Sequence, residues 1–466
     1  MSTKLFRAGN LVYTKRGLIG LVVWLLWADL CFDLMERIPS LIPLKLKALE
    51  APNWMMAVIL STIPMLLNAT ICPWVSFASD RHRGPLGRRL PFILYTAPFL
   101  TVSLIGVGFS APIAGFIHGL LPDWLASWSL NSIELVVVAV LTTSFSFFNM
   151  FVASVFWYLF NDVVPREVLS RFLSAMKIVT AGSAAFFNLV IFKHAEEYMP
   201  WIFLGGSLLY FVTFVALCLN VKEPSYPSPP ENVDGGRGFV SGVKTYAKEC
   251  YSHRFYWLYY LYVGFGTVAS TINMFNIFFN QEMGLSLEQI GQIAGLAGIW
   301  SVVLFYFAGS IADRFHPLRT SVVAVTVMTL AFYPIGLIWL FLNPTPQFYF
   351  VFTLVVAMVQ MPFIVLLGVS AQPAEMRIFP QERYGQFCSA NALVRSVLAL
   401  IAAPLAGVFL DVMKRAYPDG DFAYRFIPAW SLLFGLVALF FLWWLYLEWK
   451  RLGDDKTFAP AAGEMN

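Results

Sequence analysis

The stretch "SDRHRGPLGRRLPF", residues Ser79 to Phe92, lies between two strongly apolar segments of this 466-residue chain. It contains four arginines, one histidine and a single aspartate. Basic residues next to an apolar segment resist translocation across a membrane. The stretch is therefore typical of a short cytoplasmic loop that joins two membrane spans.

The composition of the whole chain supports a membrane protein. Hydrophobic residues make up 59% of the chain and charged residues only 12%, which excludes an ordinary soluble domain. About 20 apolar residues in a helix cross the hydrocarbon core of a bilayer. Twelve runs of this length are predicted, at about 18–38, 54–78, 91–111, 133–160, 171–193, 200–220, 256–280, 288–312, 319–342, 347–371, 384–410 and 427–449.

These runs, called spans 1 to 12 below, are predicted to be helices. They are continuously apolar and do not alternate as the strands of a membrane barrel do, and a helix satisfies its own backbone polar groups in lipid. Span 1 is too long for a signal peptide and contains Asp29 and Asp33, so it is expected to stay in the mature chain. The fold class is therefore an all-α integral membrane protein.

The distribution of basic residues predicts the orientation. With the amino terminus inside, the cytoplasmic segments carry 22 Lys and Arg residues and the outer loops about seven. Both termini are therefore expected in the cytoplasm of a multi-pass protein of the cell membrane. The formal net charge of +4 reflects the same bias and gives no reason to expect a nucleic acid partner.

The cysteine and histidine residues give no indication of disulfide bonds or of a metal site, and no catalytic motif is found. The five cysteines are scattered singly, which is typical of free thiols. The five histidines show no metal-ligand spacing. We find no metalloprotease, nucleophile-elbow or nucleotide-binding motif. The sequence therefore predicts a protein that is not an enzyme and holds no metal or other cofactor.

The chain contains an internal repeat. "PREVLSRFLSA" (Pro165 to Ala175) matches "PQERYGQFCSA" (Pro380 to Ala390) at a separation of 215 residues, and Asp80-Arg81 after span 2 corresponds to Asp313-Arg314 after span 8. Pro, Gly and charged residues follow span 6 and predict a linker. The expected organisation is a six-helix bundle at 1–221, a cytoplasmic linker at 222–254 and a second six-helix bundle at 255–466.

Twelve spans, two repeated halves and the quoted loop resemble the major facilitator superfamily, whose loop signature is roughly G-x-x-x-D-R-x-G-R-R. This chain has Ser76 where the first glycine is expected, and the loop is lengthened by "HRGPL". That form is similar to the sucrose transporters and the glycoside-pentoside-hexuronide cation symporters. The resemblance implies two pseudo-symmetric six-helix bundles, a monomer and transport of a small molecule across the bilayer.

The resemblance also implies a gating role for the loops. In the implied fold, Asp80 faces the positive amino end of span 11 and stabilises the state that is closed to the cytoplasm. Alternatively, Asp80 and Arg81 only anchor the topology. The expected gating residues are Asp80, Arg81, Arg88, Arg89, Asp313, Arg314, Glu167 and Glu382.

Span 1 carries the acidic residues that are candidates for ion coupling. At 100° per residue, Asp33 and Glu36 lie about 40° and 20° from Asp29 on one helix face. Charged residues inside a bilayer are costly and are functional candidates by default. Asp29 and Asp33 are predicted to carry a proton, and Asp29 alternatively binds sugar hydroxyls. The opposing interpretation is an Asp33–Arg37 or Glu36–Arg37 pair without a role in transport.

Further polar residues in the spans are candidates for substrate binding. In the superfamily, spans 1, 4, 7 and 10 line the central cavity, and amides are good sugar ligands. Each polar residue can instead join two helices. Arg395, in span 11, is expected to pair with an acid, and it resembles a span 11 cation of melibiose-type relatives. The predicted substrate-binding residues are Asp29, Asn149, Trp157, Asn273, Asn276, Asn280, Gln360 and Arg395.

The function expected from these residues is proton-coupled symport of a sugar or glycoside by alternating access. Melibiose-type relatives carry paired aspartates in span 2 for sodium, whereas span 2 here has no acid before Asp80, so protons are preferred over sodium. Sodium-coupled symport remains an alternative. Export, or flipping of an amphipathic metabolite or lipid, is a further alternative, although span 5 lacks the glycine-proline-glycine signature of exporters.

Overall fold

The structure is a computed structural model that describes residues 5–8, 10–120, 128–225, 250–380, 384–418 and 421–453. It divides into two compact units, Met1–Glu231 and Asn232–Asn466. Most of the predicted linker, residues 226–249, lies outside the described residues. Each unit is described by itself below.

Unit 1 is built from apolar helices, two of which begin at a hydroxyl side chain that caps the helix. Thr14 Oγ1 accepts the backbone N–H of Gly17 (3.2 Å), and Ser129 Oγ accepts that of Ser132 (3.2 Å), so each satisfies an otherwise unpaired donor at a helix start. The α-helices are Lys15–Arg37, Ile42–Ala48, Asn53–Ala57, Ile63–Arg81, Leu90–Gly108, Ser110–Leu120, Leu130–Val163, Arg166–Phe186 and Ala195–Asn220.

Unit 2 follows the same plan. The side chains of His316 and Thr345 accept backbone N–H groups at two of its helix starts. The α-helices are Arg254–Ser270, Asn276–Glu282, Leu287–Arg314, Pro317–Val327, Tyr333–Leu337, Pro346–Ile378, Tyr384–Ala416 and Ile427–Arg451.

Eleven segments of the described chain are long and apolar enough to cross a membrane, which makes this a multi-pass membrane protein. One of them, Ala175–Asn220, has 46 residues, more than twice the length that one span needs. Its backbone leaves helical geometry at Tyr198, with φ −113° and ψ 19°. Predicted span 6, and predicted span 5 except for its first four residues, lie within this segment.

Several spans change helix type along their length. Spans 1 and 7 each contain a 3₁₀ segment, at Ile38–Leu41 and Thr271–Phe275, followed by a short α-helix. π-helical segments interrupt spans 2, 5 and 9, at Val58–Thr62, Phe187–Ile191 and Met328–Phe332. Such segments change the direction of a helix and are frequent at functional sites.

Both units have aromatic cores. In unit 1, Phe32 packs against Phe156 and Phe214 with ring centres 5.2 and 6.1 Å apart. In unit 2, buried side chains of spans 7, 11 and 12 and the end of span 10 form one cluster that includes Tyr256, Tyr260, Phe379, Phe387 and Trp449. These contacts hold the helix ends of each unit in a defined arrangement.

A short β-hairpin precedes span 1. Phe6–Ala8 pairs antiparallel with Leu11–Tyr13. Asn10 Oδ1, in the turn, accepts the backbone N–H of Ser225 (2.8 Å). The hairpin therefore holds the segment that follows span 6. The sequence analysis did not predict this element.

Candidate functional site

The three acids of span 1 lie on the helix Lys15–Arg37 at the predicted spacing, but their surroundings differ. Asp29 is 2% exposed, and its Oδ2 makes no hydrogen bond within the described part of the chain. The charge of Lys177, in span 5, acts on this carboxyl group. Asp29 is therefore a buried carboxyl with one unused oxygen.

Asp33 is held by two neighbours. Arg37 Nε and Nη2 donate to its two carboxylate oxygens (2.8 and 3.3 Å), so the Asp33–Arg37 pair that the spacing allowed is formed. The hydroxyl of Ser183, in span 5, also donates to Asp33 Oδ2. Both contacts stabilise the charged carboxylate.

Glu36 contacts one of the predicted substrate-binding residues. Asn149 Nδ2 donates to Glu36 Oε1 (2.5 Å), so spans 1 and 4 meet here. Asn149 is 7% exposed, and its Oδ1 has no hydrogen-bond partner among the described residues. The structure therefore brings Asn149 into the acidic group of span 1.

Exposure separates two faces of span 1. Val23 and Trp27 are 60% and 45% exposed. Exposed apolar side chains in a membrane span are expected to face lipid. Glu36 is also exposed, and nine residues after Trp27 it lies about 180° around the helix. A carboxylate in lipid is costly, so we assign the Glu36 face to water.

Trp157 lies two turns beyond Asn149 in the helix Leu130–Val163. Its side chain is 46% exposed, and its ring meets Phe160 edge to face with 5.8 Å between centres. An exposed indole can stack on a sugar ring or lie in lipid. Its position in the same helix as Asn149 keeps it a candidate.

The predicted polar residues of unit 2 bond mainly to one another and to neighbouring helices. Asn276 Nδ2 donates to Asn273 Oδ1 (3.4 Å). Asn280 Oδ1 accepts the hydroxyl of Tyr349 (3.1 Å), which joins spans 7 and 10. Gln360 Nε2 lies 3.5 Å from Met328 Sδ. Asn280 thus joins helices, whereas Asn273 is exposed and can meet a ligand.

Arg395 lies in the helix Tyr384–Ala416 and is exposed. The acid that it was expected to pair with is not found in the part of the chain that the structure describes. Asn391, one turn earlier, donates to Glu375 Oε1 of span 10 (3.0 Å). Glu375, the acid next to this part of span 11, is therefore bound by the side-chain amide of Asn391.

The basic loop after span 2 is anchored within unit 1. Arg88 Nη2 and Nε donate to the carboxylate of Asp162, at the end of span 4 (2.7 and 3.2 Å). Arg89 Nε donates to the same carboxylate (3.4 Å) and its Nη1 to Ser79 Oγ. The Arg89 guanidinium also lies 5.0 Å from the ring centre of Tyr158.

Glu223, just after span 6, caps the helix that starts span 3. Its Oε2 accepts the backbone N–H of Arg88 (3.0 Å), and its Oε1 accepts those of Arg89 and Leu90 (2.8 and 2.7 Å). A carboxylate at a helix start also interacts favourably with the helix dipole. The loop is therefore connected to both span 4 and the segment after span 6.

Several predicted gating residues cannot be placed. The side chains of Asp80, Arg81, Asp313 and Arg314 are outside the described part of the structure, as is Glu382 altogether. Glu167 lies exposed in the first turn of the helix Arg166–Phe186.

Three contacts were not foreseen from the sequence. Asp162 follows span 4 by two residues, and an acid at the cytoplasmic end of a span suits a basic loop. Glu223 is the first acid after span 6, a signal that is visible but weak. Nothing local in the sequence connects Ser183 with Asp33, which is 150 residues away.

Comparisons with known proteins agree with this architecture. The sequence model of the Major Facilitator Superfamily matches residues 184–404. No curated protein sequence matches the chain.

Three solved structures are similar over nearly the whole chain. An inward-facing, unoccupied bacterial homologue of the human lysosomal transporter Spinster is 11% identical with a TM-score of 0.63, and the match covers 94% of this chain and 99% of that one. A mutant of the nucleoside transporter NupG is 11% identical with a TM-score of 0.63, covering 91% and 100%. A D-xylose-proton symporter is 15% identical with a TM-score of 0.57, covering 91% and 96%.

Proposed function

With the major facilitator fold as the premise, we propose that this chain is a secondary active transporter that works by alternating access and imports a sugar or glycoside together with a proton. Among the proteins of similar structure, one is a D-xylose-proton symporter. That likeness supports the sugar as substrate, but it is the acidic group of span 1 that carries the proposal.

Asp29 is the proposed proton carrier. Burial disfavours the charged form of a carboxyl group, and Asp29 is buried with one oxygen unused. The carboxylate oxygens of Asp33, by contrast, accept hydrogen bonds from Arg37 and Ser183. A carboxyl that is alternately charged and neutral can carry a proton, so the different surroundings favour Asp29 over Asp33.

Glu36, Asn149 and Trp157 are the proposed substrate contacts of unit 1. Glu36 and Asn149 already form a hydrogen-bonded pair, and the unused Asn149 Oδ1 can accept a sugar hydroxyl. In unit 2, Asn273 and Arg395 are the exposed candidates. Transport of a polar molecule requires such groups on the water-facing sides of the helices.

The test is uptake by the purified protein in proteoliposomes. A panel of labelled sugars and glycosides is offered with an inward proton gradient, an inward sodium gradient or neither. We expect accumulation of at least one of them with the proton gradient only. Accumulation driven by sodium alone would support the sodium-coupled alternative, and movement of labelled lipid without any sugar uptake would support a flippase.

The variant Asp29→Asn tests whether Asp29 carries the proton. The amide cannot cycle between charged and neutral forms, so accumulation should fall to the level seen without a gradient while exchange of labelled for unlabelled sugar continues. Glu288→Gln, an exposed acid at the start of span 8, is the control and should accumulate normally. Normal accumulation by Asp29→Asn would refute the assignment.

A further inference from the structure

Arg395 lies deep inside a span. It is the twelfth residue of the helix Tyr384–Ala416, about 17 Å from the helix start at 1.5 Å per residue. Its side chain is nevertheless exposed. A guanidinium that faced the hydrocarbon core at this depth would be strongly unfavourable. Its exposed side chain must therefore meet water or a polar molecule.

The helix has a separate apolar stripe that meets lipid. Leu393, Val397, Ile401 and Leu405 are each about half exposed, from 47% to 55%, and they recur every four residues. Arg395 is two residues from both Leu393 and Val397, which places it about 160° from each of them around the helix. At its own level in span 11, the guanidinium thus lies opposite to the two residues of the stripe that flank it, Leu393 and Val397.

Arg395 also differs in its contacts from Arg37, Arg425 and Lys177. Arg37 is paired with Asp33, and Arg425 with Glu282. The positive charge of Lys177 interacts electrostatically with the carboxyl group of Asp29. Within the described residues, Arg395 makes neither an ion pair nor a hydrogen bond, and the acid beside Asn391 is already bound by that amide. Its five N–H donors are thus available to a ligand.

We infer that the transported sugar or glycoside carries an oxyanion, a carboxylate or a phosphate, and that Arg395 binds this group. The planar guanidinium donates two parallel hydrogen bonds to an oxyanion, which is the pairing that fits its shape and charge. This inference rests on the proposed function, because it names the substrate class of that transporter. A neutral sugar would leave the guanidinium without a counter-charge.

The test compares matched neutral and anionic sugars. Glucose, galactose and their β-methyl glycosides are compared with the corresponding uronates and 6-phosphates, by binding to the purified protein and by proton-driven uptake into proteoliposomes. We expect at least one anionic member to bind at least tenfold more tightly than its neutral counterpart. The uronates and the phosphates form separate arms, so the result distinguishes a carboxylate substrate from a phosphorylated one.

Variants of Arg395 give the second arm. Arg395→Gln should weaken binding of the preferred anionic sugar by roughly 10- to 100-fold, the effect of losing hydrogen bonds to a charged group, and should weaken binding of neutral sugars much less, because a hydrogen bond to an uncharged hydroxyl contributes less. Arg395→Lys keeps the positive charge but lacks the planar guanidinium. Its affinity for the anionic sugar should lie between those of the unchanged protein and Arg395→Gln. Lys414→Gln, at an exposed position near the end of the same helix, is the control.

The outcomes separate the two proposals. Proton-driven uptake of neutral sugars with no preference for any anionic member would overturn the inference and leave the proposed function standing. An equal loss of neutral and anionic binding in Arg395→Gln would also overturn it, since that result indicates a structural partner. No uptake of any sugar, neutral or anionic, would overturn both.

Discussion

Asp29 and Asp33 are one helical turn apart and of the same residue type, yet their surroundings differ. Asp33 is partly exposed and bound by Arg37 and Ser183, whereas Asp29 is buried. The four-residue spacing allows the Asp33–Arg37 pair, but the sequence left Glu36 as an alternative partner of Arg37. The contribution of Ser183 could not be predicted, because it depends on how spans 1 and 5 pack.

A prediction at the residue scale concerns the Asp33–Arg37 pair. Asp33→Asn and Arg37→Gln should each lower the free energy of unfolding by about 1–3 kcal/mol, since each leaves a partly buried charge without its partner. The double variant should lose less than the sum of the two. Thermal unfolding in detergent measures all three. Additive losses would show that the two side chains do not interact.

At the scale of the elements, Glu223 joins the segment after span 6 to the start of span 3. Gly87 precedes this helix with φ +101°, a conformation that favours glycine. A Cβ at that position would also lie 2.6 Å from Glu223 Cδ. The sequence predicts a turn there, but the arrival of Glu223 from 133 residues away is decided by packing.

The corresponding prediction is that substitution of Glu223 removes the cap at the start of this helix. Glu223→Ala should destabilise the start of the helix Leu90–Gly108 by about 0.5–2 kcal/mol, and Glu223→Gln should have a smaller effect because it keeps an acceptor. Hydrogen exchange at the backbone amides of residues 88–90 should accelerate in the same order. The neighbouring exposed Lys222→Ala provides the control. Unchanged exchange in Glu223→Ala would contradict the capping role.

At the scale of the whole molecule, the basic loop after span 2 is predicted to influence the equilibrium between outward-open and inward-open states. Arg88 and Arg89 are bound within unit 1 by Asp162 and Glu223. The gating role of Asp80 rests on the family resemblance and stays a prediction.

Asp80→Asn tests that role. Loss of about 0.5–2 kcal/mol from the cytoplasm-closed state would move a balanced equilibrium roughly two- to thirtyfold toward inward-open. We expect slower transport with normal protein levels, and faster maleimide labelling of a cysteine placed at Arg83 after the five native cysteines are replaced. The same reporter without the Asp80 change is the reference. Unaltered transport and labelling would leave the loop as a topology anchor.

The membrane class and the helical spans could be predicted from the sequence alone, because both follow from the length and continuity of apolar runs, which are local properties. The sequence also predicts that Asp29, Asp33 and Glu36 share one face, since helical periodicity places residues three and four apart together. For the same reason, their spacing allowed an Asp33–Arg37 pair as one of two alternatives, the other being Glu36 with Arg37.

Which polar residues meet across helices could not be predicted from the sequence, because it depends on how the helices pack. The pairing of Glu36 with Asn149, of Asp33 with Ser183 and of Arg88 with Asp162 joins residues between 74 and 150 positions apart. Whether Asp29 is buried or Arg395 is exposed depends on which side of each helix faces its neighbours. Periodicity orients side chains within one helix, but the rotation of that helix against the others is set by packing of the whole unit.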